Sequence, residues 1–234
     1  MAIFPFKTWP LKVNMPHPIW AFLESVIYRV PDPEPRKRTK PMEVLCVGIG
    51  RSGTESLQLA LLELGYDHTY HGFDMVFDQP NRYKGWARLA QKKYALGPWA
   101  KASDGERTIS AAEFDALMGH AVAVTDVPGY FFAAELIAAY PEAKVVLNYR
   151  EDLDAWQRSM EKSLVASYTN WSHWIMSWWE STMWWNSYGF HCLFLPLFFR
   201  MGPGGDSSRG VIGNGKWVYR GKLPVAKVGD ARDG

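Results

Sequence analysis

The sequence predicts an α/β fold, a parallel sheet covered by helices. Short apolar runs at 44–47 and 121–125 have the length and composition of buried strands, and a run at 144–149 predicts a third strand. A stretch with helical apolar spacing follows each run, at 54–64, 130–140 and 154–164. Strands that alternate with helices in this way are typical of βαβ units, whose strands lie parallel.

The chain divides into three parts by composition. Residues 16–30 have apolar positions at roughly helical spacing, and residues 31–41 are rich in proline and charge, which excludes a helix there. Glycine is frequent after residue 201, where periodicity is weak, and Trp217 with Val218 could make a small strand. We therefore predict a lead-in and linker at 1–42, a domain at 43–200 and an irregular glycine-rich tail at 201–234.

The remaining elements follow from local signals. Gly65 ends the first helix of the domain, and residues 66–71 could form a second short strand. Residues 86–94 have a helical pattern, and Ser110 with Glu113 forms a capping box that predicts another helix start. Pro141 ends the helix predicted at 130–140.

Composition excludes several function classes. A net charge of +2 over 234 residues is too weak to predict nucleic-acid binding from the field of the whole chain. The two cysteines, Cys46 and Cys192, suit neither a metal site nor a disulfide framework, so we expect no metal and a reducing, cytoplasmic compartment. We also expect no secretory signal and no membrane-spanning helix.

The sharpest motif is the turn Gly-Ile-Gly-Arg-Ser-Gly-Thr-Glu-Ser at 48–56, between a predicted strand and a predicted helix. Glycines allow successive backbone N–H groups to point at one anion, and the helix start adds further N–H donors. The spacing from Gly48 to Gly53 is that of a Walker A loop, but Thr54 stands at the lysine position and Glu55 at the magnesium-binding hydroxyl position. A phosphate site is predicted, and nucleoside triphosphate hydrolysis is disfavoured.

Gly-Arg-Ser-Gly-Thr at 50–54 resembles the 5′-phosphosulfate loop of sulfotransferases that use 3′-phosphoadenosine 5′-phosphosulfate (PAPS). The stretch 126–150, with Asp-Val-Pro, Tyr-Pro-Glu-Ala-Lys and a final arginine, and Asp-Ala-Trp-Gln-Arg-Ser at 154–159 are similar to a fungal and bacterial sulfotransferase-like family. This resemblance covers about residues 43–164. It implies a three-layer P-loop NTPase-like topology, to which this chain would add an aromatic-rich helical C-terminal part.

The resemblance also implies roles for individual residues. The 5′-phosphate would be bound by Gly50, Ser52, Gly53, Thr54 and Ser56. Arg51 would stabilise the leaving phosphate, where the family usually has lysine, and arginine is the poorer proton donor. Arg150 and Ser159 would hold the 3′-phosphate, unless Arg150 forms a surface ion pair with its acidic neighbours.

Two residues are candidates for the base that deprotonates the acceptor hydroxyl. His71 follows a predicted strand, and an imidazole titrates near neutral pH. Asp126 follows the strand at 121–125, at the sheet edge where α/β sites form, and could instead orient Arg51 or His71 or cap a helix.

Seven of the twelve tryptophans lie between Trp156 and Trp185, and residues 171–185 have helical spacing. Three interpretations stay open: an amphipathic helix packed on the core, a wall around an apolar acceptor, and a peripheral membrane anchor helped by Phe190 to Phe199. A homodimer is likewise left open.

The leading hypothesis is a sulfotransferase-like enzyme that transfers a sulfuryl group from PAPS to a small apolar acceptor and releases 3′,5′-adenosine diphosphate (PAP). The alternative is a repurposed P-loop fold that acts in small-molecule secondary metabolism without PAPS, where it binds an apolar ligand or catalyses another step.

Overall fold

Four parallel strands form the sheet of the computed structural model, which describes residues 18–77, 82–166, 170–202 and 205–227. The strands are β1 (Val44–Cys46), β2 (Thr69–Tyr70), β3 (Ala123–Val124) and β4 (Lys144–Val146). Their order is β2-β3-β1-β4, with Leu45 of β1 opposite Val124 of β3 and Val145 of β4. The predicted α/β fold with a parallel sheet is confirmed.

Helices follow the strands as the alternation predicted. In chain order the α-helices of the described residues are α1 (Pro18–Phe22), α2 (Thr54–Glu63), α3 (Gly72–Phe77), α4 (Arg82–Lys93), α5 (Asp104–Arg107), α6 (Ala111–Met118), α7 (Asp126–Phe131), α8 (Ala133–Ala139), α9 (Leu153–Met160), α10 (Trp171–Trp179), α11 (Ser181–Tyr188), α12 (Leu195–Phe198), α13 (Ser207–Arg209) and α14 (Gly215–Lys227). Wider π-helical turns lie at Leu23–Ile27, Glu161–Val165, Gly189–Phe194 and Gly210–Asn214, and a 3₁₀ turn at Gly97–Trp99.

The chain divides into two compact units. Of the described residues, the sheet unit comprises Pro33–Arg82, Thr108–Trp156 and residues 217–227. The helical unit comprises residues 18–32, Tyr83–Arg107 and Gln157–Lys216. The predicted boundaries after residues 42 and 200 stay a prediction.

The core of the sheet unit is the centre of the sheet. Val44, Cys46 and Ala123 are buried with Leu61 of α2, because β1 is covered on both faces. The edge strand β4 is more exposed, with Val146 reaching solvent. Ser110 caps α6 through the predicted capping box with Glu113.

Three predicted elements are wrong in detail. The helix expected at 130–140 is two helices, α7 and α8, since the chain leaves helical geometry at Phe132. The Trp-rich stretch is also two helices: Glu180 is extended, and its carboxylate accepts the amides of Thr182 and Met183, which ends α10 and caps α11.

The third correction concerns the tail. Residues 207–227 are helical, not irregular, and Trp217 and Val218 lie on α14, not on a strand. Glycines stand at 210, 213, 215 and 221 in this segment, and Val211 and Val218 are buried.

Several aromatic residues of the segment 171–199 are buried in the helical unit. Trp184 stacks between Tyr28 and Tyr188, with ring centroids 4.6 and 4.8 Å away. The phenylalanines at 190, 194, 198 and 199 are buried, so they cannot support the membrane interpretation. Trp171 and Trp179 are 68% and 91% exposed, and their role stays a prediction. No helix of the described residues is both long and apolar enough to cross a bilayer.

Candidate functional site

The glycine-rich turn leaves β1 and enters α2 in a tightly bent path. A Cβ on Gly48 would overlap the main-chain oxygen of Asn148, so only glycine allows the chain to pass the segment that follows β4. Arg51 and Gly53 then take left-handed backbone angles, with φ of 68° and 81°. The side chain of Arg51 is exposed, and α2 begins at Thr54.

Side chains from the sheet unit hold the carbonyl groups of this turn. The indole Nε1 of Trp156 donates to the oxygen of Gly50 at 2.9 Å, and Nδ2 of Asn148 donates to the oxygen of Ser52 at 3.0 Å. The first amides of α2 have no acceptor within the helix, because an α-helix pairs each N–H with a carbonyl four residues earlier. The turn therefore presents N–H donors and the positive end of a helix dipole to an anion.

Tyr219 joins the turn to the segment after β4. Its hydroxyl lies 2.7 Å from Oγ of Ser52 and accepts the amide of Arg150 at 2.6 Å. Its ring packs edge-on against Trp156, with centroids 4.8 Å apart. One buried phenol therefore holds both predicted phosphate-binding segments. It contacts the turn expected to bind the 5′-phosphate and the main chain of Arg150, whose side chain is expected to bind the 3′-phosphate. Sequence reasoning missed Tyr219.

We predict that Tyr219→Phe weakens anion binding at the turn. The substitution removes the acceptor of the Arg150 amide and the partner of Ser52, which costs about 1–3 kcal/mol when a buried polar group loses its bond. Urea unfolding measures the stability loss, and titration with PAP measures binding. Tyr149→Phe, at a 55% exposed tyrosine, is the matched control and should change neither. Equal results for both variants would contradict a role for the hydroxyl.

Asp126, Thr54 and His71 meet beneath the turn. Thr54 Oγ1 lies 3.4 Å from Oδ1 of Asp126 and 3.4 Å from Nε2 of His71, and that nitrogen lies 3.8 Å from Oδ2 of Asp126. A Cβ on Gly50 would lie 2.9 Å from Oδ1 of Asp126, and one on Gly72 would overlap Oδ2. These two glycines therefore leave room for the carboxyl group of Asp126. The two residues predicted as candidates for the base, Asp126 and His71, thus lie side by side.

The hydrogen bonds of His71 define which nitrogen carries its proton. Nδ1 accepts the amide of Phe73 at 3.1 Å, so in the neutral ring the hydrogen is on Nε2, which faces Asp126. The ring is buried, and the main-chain amide of His71 donates to Asp74 at 2.6 Å. A neutral His71 therefore has no lone pair left for an acceptor hydroxyl, and its Nε2–H is directed at Thr54, 3.4 Å away, and at the carboxyl group of Asp126.

Asp126 has the properties that a general base needs. Burial raises the pKa of its carboxyl group, and His71, the amide of Val127, Thr54 and Arg51 oppose this increase. Its backbone is left-handed, with φ of 62°, which is strained for a residue with a Cβ. A desolvated carboxylate with a raised pKa accepts a proton more readily than one in water. The geometry favours Asp126 over His71 as the base.

Comparison with known proteins identifies the family. The family model described as Sulfotransferase domain matches residues 43–210. The chain belongs to this family. It is also 35% identical over 136 residues to "Ava biosynthesis cluster protein M" of Aspergillus versicolor, a match that covers 58% of this chain and 47% of the relative. The chain thus aligns with about half the length of that curated relative.

The other predicted binding residues of the sulfotransferase domain differ in burial and in the element that carries them. Thr54 is buried and directed at Asp126, whereas Ser56 is exposed on the first turn of α2. Arg150 is exposed after β4 in the sheet unit, and Ser159 lies on α9 in the part that belongs to the helical unit. Their joint contact with a 3′-phosphate stays a prediction.

Metal-ligand groups and thiols are the two remaining features of the site chemistry. The described residues include no group of three or more His, Cys, Asp and Glu side chains arranged to hold a metal ion. Cys46 and Cys192 are buried, and burial raises the pKa of each thiol to about 12, so neither is a reactive thiolate at neutral pH.

Proposed function

We propose that this protein is a sulfotransferase that transfers a sulfuryl group from PAPS to the hydroxyl of a small apolar acceptor. The observation that carries the proposal is the turn at 48–56, whose carbonyl groups at Gly50 and Ser52 are bound by Trp156 and Asn148. Amides and a cationic side chain are what a phosphosulfate requires. Family membership supports the same reaction class.

The residues of the sheet unit fit the needs of this transfer. PAPS, bound at the turn, would supply the activated sulfuryl group. Arg51 and the first amides of α2 would stabilise negative charge on the 5′-phosphate, as preorganised donors do in phosphoryl transfer. Asp126 would take the proton of the acceptor hydroxyl, and Nε2–H of His71, 3.8 Å away, would orient that carboxylate.

A role in small-molecule biosynthesis fits the relative, whose name assigns it to a biosynthesis cluster. The same name suits a second candidate, a P-loop protein that acts in secondary metabolism without PAPS. The arginine at position 51, where sulfotransferases usually have lysine, favours this second candidate.

Binding of PAP, the product nucleotide, separates the two candidates. We expect PAP at 100 times its Kd to stabilise the folded protein by about 2.7 kcal/mol, because a ligand that binds only the native state shifts unfolding. Thermal and urea unfolding with and without PAP measure the shift. Absence of any shift at millimolar PAP would contradict the first candidate.

Arg51→Ala should weaken PAP binding by about 10- to 100-fold, since a charge-assisted hydrogen bond contributes about 1.5–3 kcal/mol. Arg51→Lys is the control, because it keeps the charge and restores the residue usual in the family. Calorimetric titration of both variants measures the difference. If Arg51→Ala binds PAP like the unmodified protein, the turn is not the phosphate site.

A further inference from the structure

The outer side of α10 is apolar and exposed to solvent. Trp171, Ile175 and Trp179 stand four positions apart, so they lie along one side of this helix. Their exposed fractions, together with that of Met176, run from 49% to 91%. Exposed apolar side chains that adjoin one another in this way are typical of a binding surface.

A second exposed apolar segment of the helical unit reaches α10. On α1 and the π-turn that follows it, the exposed large apolar side chains are Ile19, Phe22, Val26 and Ile27. The next residue, Tyr28, donates its hydroxyl to the main-chain oxygen of Trp178 at 3.0 Å, and the two rings meet edge-on with centroids 6.3 Å apart. The two segments therefore meet at this contact, and we call their exposed apolar side chains the apolar face.

The helix at the centre of the apolar face carries no charge. Residues 171–179 contain no Asp, Glu, Lys or Arg. The histidine of this helix, His173, has Nε2 2.8 Å from Oγ of Ser187, and burial lowers its pKa, so it is neutral at pH 7. Tryptophan is enriched where lipid meets water, because an indole combines an apolar ring with an N–H donor. Exposed tryptophans at both ends of a neutral apolar helix therefore suit the headgroup region of a bilayer.

The unit that carries the apolar face is basic. Residues 18–32, 83–107 and 157–216 contain twelve Lys and Arg but seven Asp and Glu, whereas the sheet unit, at 33–82, 108–156 and 217–227, contains eleven and fifteen. Arg29, the residue after Tyr28, is exposed beside the apolar face. A positive unit with an apolar face that is rich in tryptophan complements an anionic lipid surface. The same positive charge disfavours a second copy of this chain on the face, since like charges would meet.

We propose that the apolar face binds the surface of an anionic bilayer. Trp171 and Trp179 lie at the level of the lipid headgroups, and Arg29 contacts lipid phosphate groups. This inference goes beyond the proposed transfer reaction and does not depend on it.

Flotation of the full chain with phospholipid vesicles tests this proposal. We expect the protein to float with vesicles of phosphatidylcholine that contain about 30% phosphatidylserine, at about 0.15 M salt. Vesicles of phosphatidylcholine alone, or about 0.5 M salt, should bind the protein at least about fivefold less, because the anionic attraction is absent or screened. Absence of flotation with the anionic vesicles, or equal binding to both kinds of vesicle, overturns the proposal.

Three variants at exposed positions locate the binding surface. Trp171→Ser combined with Trp179→Ser should lower the partition coefficient for anionic vesicles by about tenfold or more, because two aromatic rings no longer leave water. Trp217→Ser is the matched control: it removes an exposed indole from α14 in the sheet unit and should change binding less than about twofold. Arg29→Gln should reduce binding to anionic vesicles by about fivefold and leave binding to neutral vesicles unchanged. Equal losses in Trp217→Ser and the double variant overturn the proposal.

Measurements without vesicles distinguish the other outcomes. Urea unfolding shows that each variant is folded, because all the substituted side chains are exposed. In sedimentation velocity, a dimer that the double variant dissociates, in a chain that does not float, assigns the face to a second copy and overturns the proposal. Vesicle binding that the double variant loses, in a protein without a PAP response, supports the apolar face and contradicts only the proposed function.

Discussion

Asp126→Asn is expected to lower the rate of PAP formation from PAPS by about 10²- to 10⁴-fold, the usual contribution of a general base. The amide has the shape of the carboxyl group and keeps an acceptor for Thr54, but it cannot take a proton. The assay monitors PAP release with phenolic acceptors such as 2-naphthol. Affinity for PAP should change less than threefold, because Asp126 is assigned to the acceptor side of the reaction.

His71→Asn is the comparison that tests the assignment. Asparagine keeps an acceptor for the Phe73 amide and loses Nε2, so we expect a clearly smaller decrease than in Asp126→Asn, because a positioning residue does not itself take the proton. The opposite result would identify His71 as the base: a loss of about 10²- to 10⁴-fold in His71→Asn, with Asp126→Asn still active.

The Asp126→Asn substitution should also alter how the free energy of unfolding depends on pH. Burial raises the pKa of Asp126 above 3.8, so the folded state binds this proton more tightly than the unfolded chain. Stabilisation by the protonated group is full below the unfolded pKa and is lost as pH rises through the folded pKa. In Asp126→Asn that loss is absent, so the variant should gain stability relative to the unmodified protein from pH 4 upward. Urea unfolding between pH 4 and 8 measures the difference.

Gly129→Ala is expected to destabilise the protein by about 3 kcal/mol or more, the upper range for overpacking. A Cβ at this position of α7 would overlap the main-chain oxygen of Cys46 in β1. Backbone in a buried strand cannot move aside as a flexible side chain can. Chemical unfolding monitored by circular dichroism measures the loss.

Gly221→Ala is the matched control for this substitution. Gly221 lies on α14 in the same unit, and a Cβ there would meet nothing within 4 Å. Alanine should stabilise that helix by about 0.5–1 kcal/mol. A stable Gly129→Ala variant would contradict the close approach of α7 to β1.

Local signals predicted the sheet unit well because they act over short distances. The apolar run at 44–47 and the capping box at Ser110 need no distant partner, and both correspond to observed elements. The break at Glu180 was missed because residues 171–185 keep helical spacing across it. The cap is visible only in the structure, as the hydrogen bonds that the Glu180 carboxylate accepts from two backbone amides.

The site was predicted in part for the same reason. The turn at 48–56 is contiguous, whereas the contact between Asp126 and Thr54 joins residues 72 positions apart. The tautomer of His71 depends on the amide of Phe73, which no sequence pattern specifies. Tyr219 was hidden by the frequent glycines around it, although Val211, Val218 and Tyr219 follow helical spacing.

The Ser52–Tyr219 hydrogen bond has a consequence for protein synthesis. Its two residues are 167 positions apart, so at about 5–20 residues per second the ribosome makes Tyr219 roughly 10–30 s after Ser52. During that interval the nascent chain contains the residues of β1 and α2 but lacks the phenol that holds their connection. If the turn binds the nucleotide as proposed, we expect binding to begin only after α14 has emerged from the exit tunnel.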